Sequence, residues 1–126
     1  MSRDNAYIVD VLNAAQAIRR FLSGVSREQF LANEEKYEAV SRKFEIMGEA
    51  ARHLSPTALK ALSGVPWRNL VGMRNVLIHD YDDVDLDIIW STAQEDLPRL
   101  IPTLETYLAT LPLLPSSPGS SSKEQR

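Results

Sequence analysis

Cysteine is absent from the chain, and that one absence excludes disulfides, thiolate metal sites and a cysteine nucleophile together. No apolar run approaches the roughly 20 residues needed to cross a bilayer. The N-terminus, Met1-Ser2-Arg3-Asp4-Asn5, leads into an amphipathic pattern instead of an apolar signal core. A soluble cytoplasmic protein without a membrane partner is therefore expected. Strand-like alternation and internal repeats are also missing. Neither sign of charge dominates: the net charge of -3 does not announce a nucleic-acid binder, although a small net value can conceal local asymmetry. Histidine is scarce. His53 and His79 stand far apart in sequence, so neither supplies the paired ligands, one helical turn apart, that a histidine metal site needs. No metal or cofactor is implied.

The 126 residues suffice for one domain with a single core, and hydrophobic and charged fractions of 44% and 25% are those of a globular protein. The pattern of apolar residues is helical throughout. Ile8, Val11, Leu12, Ala15, Ile18 and Leu22 recur at three and four positions and form one stripe, which Gly24 ends. Ser26-Arg27-Glu28-Gln29 has the form of a reciprocal N-terminal cap for a short helix carrying Phe30 and Leu31. A third helix is expected from about Asn33 to Leu54, with Tyr37, Val40, Phe44, Met47, Ala51 and Leu54 on one face. Within it Gly48, Ala50 and Ala51 are small enough to admit a close neighbour. Ser55-Pro56 and Pro66 each open a new helix, the first ended by Gly64. The second should turn Trp67, Leu70, Val71, Val76 and Leu77 or Ile78 inward. Asp80 to Asp83 reads as a turn, and Asp85 caps a last helix. Pro98 and Pro102 predict a kink or break near Leu97. Residues 1–111 are thus expected to form the domain and the Pro/Ser-rich residues 112–126 a mobile tail.

Arg74-Asn75-Val76-Leu77-Ile78-His79-Asp80-Tyr81 concentrates a permanent cation, an amide, an imidazole, a carboxylate and a phenol. These types suit a phosphodiester. An imidazole titrating near neutrality can take a proton from a ribose 2'-hydroxyl or return one to the leaving oxygen, and an arginine fork can hold two phosphate oxygens. Asn75 can orient the histidine or the phosphate. Successive helical residues turn about 100°, so Asn75 and His79 share a face while Arg74 and His79 point about 140° apart. Either the helix ends near His79 and the ring swings back, or a second subunit completes the site. The competing explanation is structural: a histidine at a helix end favours the negative pole, and arginine on a solvated face is ordinary.

Arg74-Asn75 followed by His79 and Tyr81 matches the Arg-Asn-x-x-x-His-x-Tyr motif, and the chain resembles the HepT-like branch of the HEPN superfamily over residues 4 to 111. Gly48-Glu49-Ala50-Ala51, Pro66-Trp67-Arg68 and Ile88-Ile89-Trp90 add to the resemblance, and the motif positions show no departure from it. The resemblance implies an all-α, compact antiparallel helical bundle that dimerises with the motifs of both subunits lining a cleft. It further implies a ribonuclease toxin of a toxin–antitoxin pair, with Arg74 and His79 catalytic and Asn75 supporting them. The implied partner is an MntA-like nucleotidyltransferase antitoxin that adenylylates the motif tyrosine, here Tyr81. An AMP group at that position would compete with RNA phosphate for Arg74. The alternative is a non-catalytic nucleotide- or protein-binding helical module that acts through complex formation with the nucleotidyltransferase.

Other residues are less specific. Arg42, Arg52 and Arg68, with further cations of the first half, offer an RNA track that the aspartates after the motif would repel, although such charges are usually solvated faces. Glu49 either projects towards the motif helix or serves as an exposed salt-bridge partner. Trp67 and Trp90 read as core or dimer contacts.

Overall fold

The computed structural model describes residues 2–111; the expected tail, 112–126, lies outside the described residues. Seven α-helices follow one another without a strand among the described residues: α1 (Arg3–Leu22), α2 (Arg27–Leu31), α3 (Glu34–Ala51), α4 (Pro56–Ala61), α5 (Trp67–His79), α6 (Leu86–Glu95) and α7 (Leu97–Ala109). A 3-10 turn, Tyr81–Asp83, links α5 to α6. None of these helices is long and apolar enough to cross a membrane.

Local chemistry sets most of the boundaries. Ser2 accepts a hydrogen bond from the Asn5 amide and starts α1. At α2 both halves of the reciprocal cap are made: Gln29 N–H donates to Ser26 Oγ and Ser26 N–H to Gln29 Oε1. Asn33, Ser55 and Asp85 cap α3, α4 and α6 in the same manner. The third helix ends at Ala51, before the expected Leu54. Leu54 nevertheless stays buried, in the turn that leads to Pro56. There the Asp4 carboxylate accepts from both the amide and the hydroxyl of Ser55, tying the start of α1 to α4. The proline-bearing stretch breaks at Asp96, which is the C-cap of α6 and the N-cap of α7. Pro102 remains within α7.

The bundle is organised on α3, which packs against both α1 and α5, while α7 flanks α1 and α6 leans on α7 and α2. Ile8, Val11 and Ile18 of α1 meet Val40, Phe44 and Met47 of α3, and Leu70, Leu77, Leu97, Leu100 and Leu104 close the core. Each such side chain contributes roughly 1.5–3 kcal/mol on burial. Trp67 is buried, its indole N–H donating to the Leu62 carbonyl, and Trp90 lies 5.4 Å from Phe30; both are core contacts. One inward assignment fails: Val76 is 45% exposed. The buried line of α5 runs Leu70, Arg74, Leu77 at four- and three-residue spacing, which leaves position 76 on another side of the helix.

Gly48 fixes the approach of α5 to α3. A Cβ there would lie 2.2 Å from Arg74 Cβ and 2.6 Å from the Leu70 carbonyl oxygen, and a backbone atom cannot step aside. Gly48→Ala is therefore expected to lose about 1–3 kcal/mol or more. Gly72 faces open space, so Gly72→Ala should be neutral or stabilise by up to about 1 kcal/mol. Urea melts of the two variants distinguish close packing at Gly48 from a general intolerance of alanine in these helices.

Candidate active site

Arg74 occupies a core-facing position on α5, between the buried Leu70 and Leu77. Its aliphatic stem crosses Gly48, and its side chain is only 18% exposed. A leucine would satisfy that row; an arginine carries its charge out along the α3 surface. There Nη2 lies 3.0 Å from Glu49 Oε1, and Nη1 donates to Asn75 Oδ1 at 2.8 Å. The remaining donor, Nε, is buried and has no hydrogen-bond partner among the described residues.

Glu49 has three partners. Besides Arg74 it receives Arg52 Nη1 at 3.2 and 3.3 Å, and its Oε2 lies 3.0 Å from His53 Nε2. The hydrogen bond with His53, then that with Arg52, holds its carboxyl below the usual glutamate range. The charges of Arg52 and Arg74 add to this and partial burial opposes it. A depressed carboxyl stabilises the fold above the ordinary glutamate pKa, and that contribution disappears as pH falls through the lowered value. The His53 ring stacks on Tyr7 of α1, with centroids 5.2 Å apart. Tyr7, Asp10, Ile46, Glu49, His53 and Ile78 line a cleft of about 360 Å³ beside the motif helix.

The proposed site residues divide in space. His79 is the last residue of α5; it is exposed. Helix α5 is closed behind it by the Asp80 amide donating to the Val76 carbonyl. The partners of Arg74 are Glu49 and Asn75, and no hydrogen bond joins it to His79 among the described residues. The amide oxygen of Asn75 is thus engaged by the arginine. The backbone of Tyr81 begins the 3-10 turn; its side chain lies outside the described part of the structure. Of the three arginines expected to follow RNA, Arg42 pairs with Glu45 at 3.1 Å and Arg52 with Glu49. Arg68 lines a different cleft, with Asp85 and Asp96. Arg42 also lines the cleft that holds Glu49, His53 and Ile78. Glu49 realises both of its alternatives, being half-exposed and paired with the motif helix. Tyr7 carried no sequence signal, because only the packing of α1 on α3 brings it to His53. Among the described residues, no group of three or more His, Cys, Asp or Glu is arranged to hold a metal ion.

Fold and motif together define a class: small all-α proteins that hold an Arg-x4-His motif on one helix against a second, central helix. The family model described as "Ribonuclease HepT-like" matches residues 11–107, and the chain belongs to that family. It is 35% identical over 94 residues to "Probable ribonuclease HepT" of Thermococcus cleftensis, covering 75% of this chain and 86% of that protein. It is 34% identical over 95 residues to "Putative RNase MJ1380" of Methanocaldococcus jannaschii, covering 75% and 87%. A third relative, "Putative RNase TTE0752" of Caldanaerobacter subterraneus subsp. tengcongensis, is 33% identical over 100 residues, covering 79% and 89%. No solved structure matches the chain.

Proposed function

We propose that this protein is an endoribonuclease and the toxin of a cytoplasmic toxin–antitoxin pair. It would cut RNA at a cleft between two copies without using a metal ion. The observation that carries the reading is the anchored guanidinium of Arg74, on the helix whose last residue is the exposed His79, in a chain of the ribonuclease HepT-like family. His79 acts as general acid or base. The ribose 2'-oxygen, losing its proton, attacks phosphorus; the P–O5' bond breaks and the 5'-oxygen takes a proton. The products are a 2',3'-cyclic phosphate and a free 5'-hydroxyl. Arg74 stabilises the charge that accumulates on the phosphoryl oxygens, and Asn75 holds Arg74.

A dimer is favoured by the direction of the side chains. Arg74 is committed to the α3 side of α5, whereas His79 stands free at the end, so the imidazole that serves one arginine comes from a second copy. Large apolar side chains remain exposed on α5 and on α6: Val76 at 45% and Ile88 at 57%, which line one cleft, and Ile78 at 45%, which lines the cleft beside α3. Such groups favour an interface between copies.

Tyr81 is the point of control. An MntA-like nucleotidyltransferase antitoxin would transfer AMP from ATP to its hydroxyl, releasing pyrophosphate. This places a nucleotide two residues from His79 and a phosphate able to compete for Arg74.

Arg74→Ala and His79→Ala should each lower RNA cleavage by about 10²–10⁴-fold; the exposed His79→Ala should leave melting essentially unchanged, while Arg74→Ala, which removes a stem packed on α3, should stay helical and melt lower. Cleavage at the wild-type rate by either folded variant contradicts the assignment. Coexpression with the nucleotidyltransferase should add the mass of one or more adenylyl groups to the intact chain and none to Tyr81→Phe. An increment that persists in Tyr81→Phe places the modification elsewhere.

A further inference from the structure

We infer that Glu49 is a positioning residue of the site, fixing the plane of the Arg74 guanidinium for phosphate; the inference rests on the ribonuclease reading above. Three observations converge on it. First, Gly48 lets the Arg74 stem lie directly on α3, which delivers the guanidinium to the next residue, Glu49. Second, the two terminal nitrogens are engaged from two directions, Nη2 by an ion pair with Glu49 at 3.0 Å and Nη1 by a hydrogen bond to Asn75 at 2.8 Å. Each terminal nitrogen carries two N–H bonds, so each retains a donor for a phosphate oxygen after these contacts are made. Two anchors on one planar group fix its orientation, which a single contact does not. Third, the carboxylate is itself held. Arg52 bridges both of its oxygens and His53 binds Oε2, and the His53 ring is stacked on Tyr7. The chain of contacts therefore runs from α1 through His53 and Glu49 to Arg74.

An ion pair that only supported the fold would need none of this. Glu49 is 46% exposed, and exposed pairs contribute little to stability. Its effect is instead on geometry, where a misplacement of about 1 Å can cost about 10²-fold in rate.

The test uses the full-length protein and an RNA oligonucleotide with one cleavage site, alongside its analogue carrying a 2'-deoxyribose there, which binds but cannot be cut. Glu49→Ala should lower kcat by about 10–100-fold, with melting temperature and affinity for the uncut analogue changed little. Glu49→Gln keeps one acceptor for Arg74 and should recover part of the loss. In an Arg74→Lys background, whose shorter point charge cannot use the clamp, adding Glu49→Ala should cause little further loss, because the two changes act on one interaction. Full activity of folded Glu49→Ala, or an undiminished effect of Glu49→Ala in the lysine background, overturns the positioning role. If Arg74→Ala itself cleaves normally, the ribonuclease assignment of Arg74 has failed, an outcome distinct from failure of Glu49 alone.

Discussion

The close contact of α5 with α3 at Gly48 governs the rest of the molecule. Only a residue without a side chain lets the Arg74 stem and the Leu70 carbonyl lie where they do, and this contact converts a core-facing arginine into a presented one. With the two helices further apart, the guanidinium would lose Glu49 and gain solvent. The bundle around this contact is ordinary hydrophobic packing: Phe44 and Met47 of α3 bury completely against their neighbours. Evidence of function lies where packing departs from economy. A cation in a leucine position and a carboxylate shared by two arginines and a histidine both occur within one turn of that contact. Local departures of this kind, set in an otherwise consistent fold, are where functional sites are expected.

The helices were legible in the sequence because their punctuation is chemical. Ser26 with Gln29, Ser55 with Pro56, and Asp85 each start a helix by bonds that involve residues at most three apart. The break near Leu97 follows from proline alone. The motif was equally legible as a set of residue types. What the sequence could not convey was direction. Val76 was expected to face inward and does not, since the buried line of α5 passes through Arg74, a charged residue that an apolar pattern skips over. For the same reason Glu49 remained open between two roles: a helical period places it on a face, but only the packing of α5 decides what that face meets. The sequence likewise did not convey that Arg42 and Arg52 pair with carboxylates three residues away. The stacking of Tyr7 on His53 joins residues 46 positions apart and left no local trace.

Spatial separation clarifies the motif itself. Arg74 belongs to the α3 contact, Asn75 to Arg74, and His79 to the free end of the helix. Among the described residues a single chain thus presents an anchored cation and an exposed imidazole with no hydrogen bond between them. Val76 and Ile78 are exposed on the motif helix itself and Ile88 on α6. The proposed dimer would therefore bury apolar surface and complete the chemistry in one event, which makes catalysis depend on protein concentration near the dissociation constant.

The most direct measurement is subunit complementation. Arg74→Ala and His79→Ala proteins, each inactive, are mixed under conditions that exchange subunits, and RNA cleavage is followed. If an arginine of one copy works with the histidine of the other, the mixed dimer holds one intact pair, and activity reappears as heterodimer forms. A mixture that exchanges subunits yet stays as inactive as either parent contradicts a site shared between two chains.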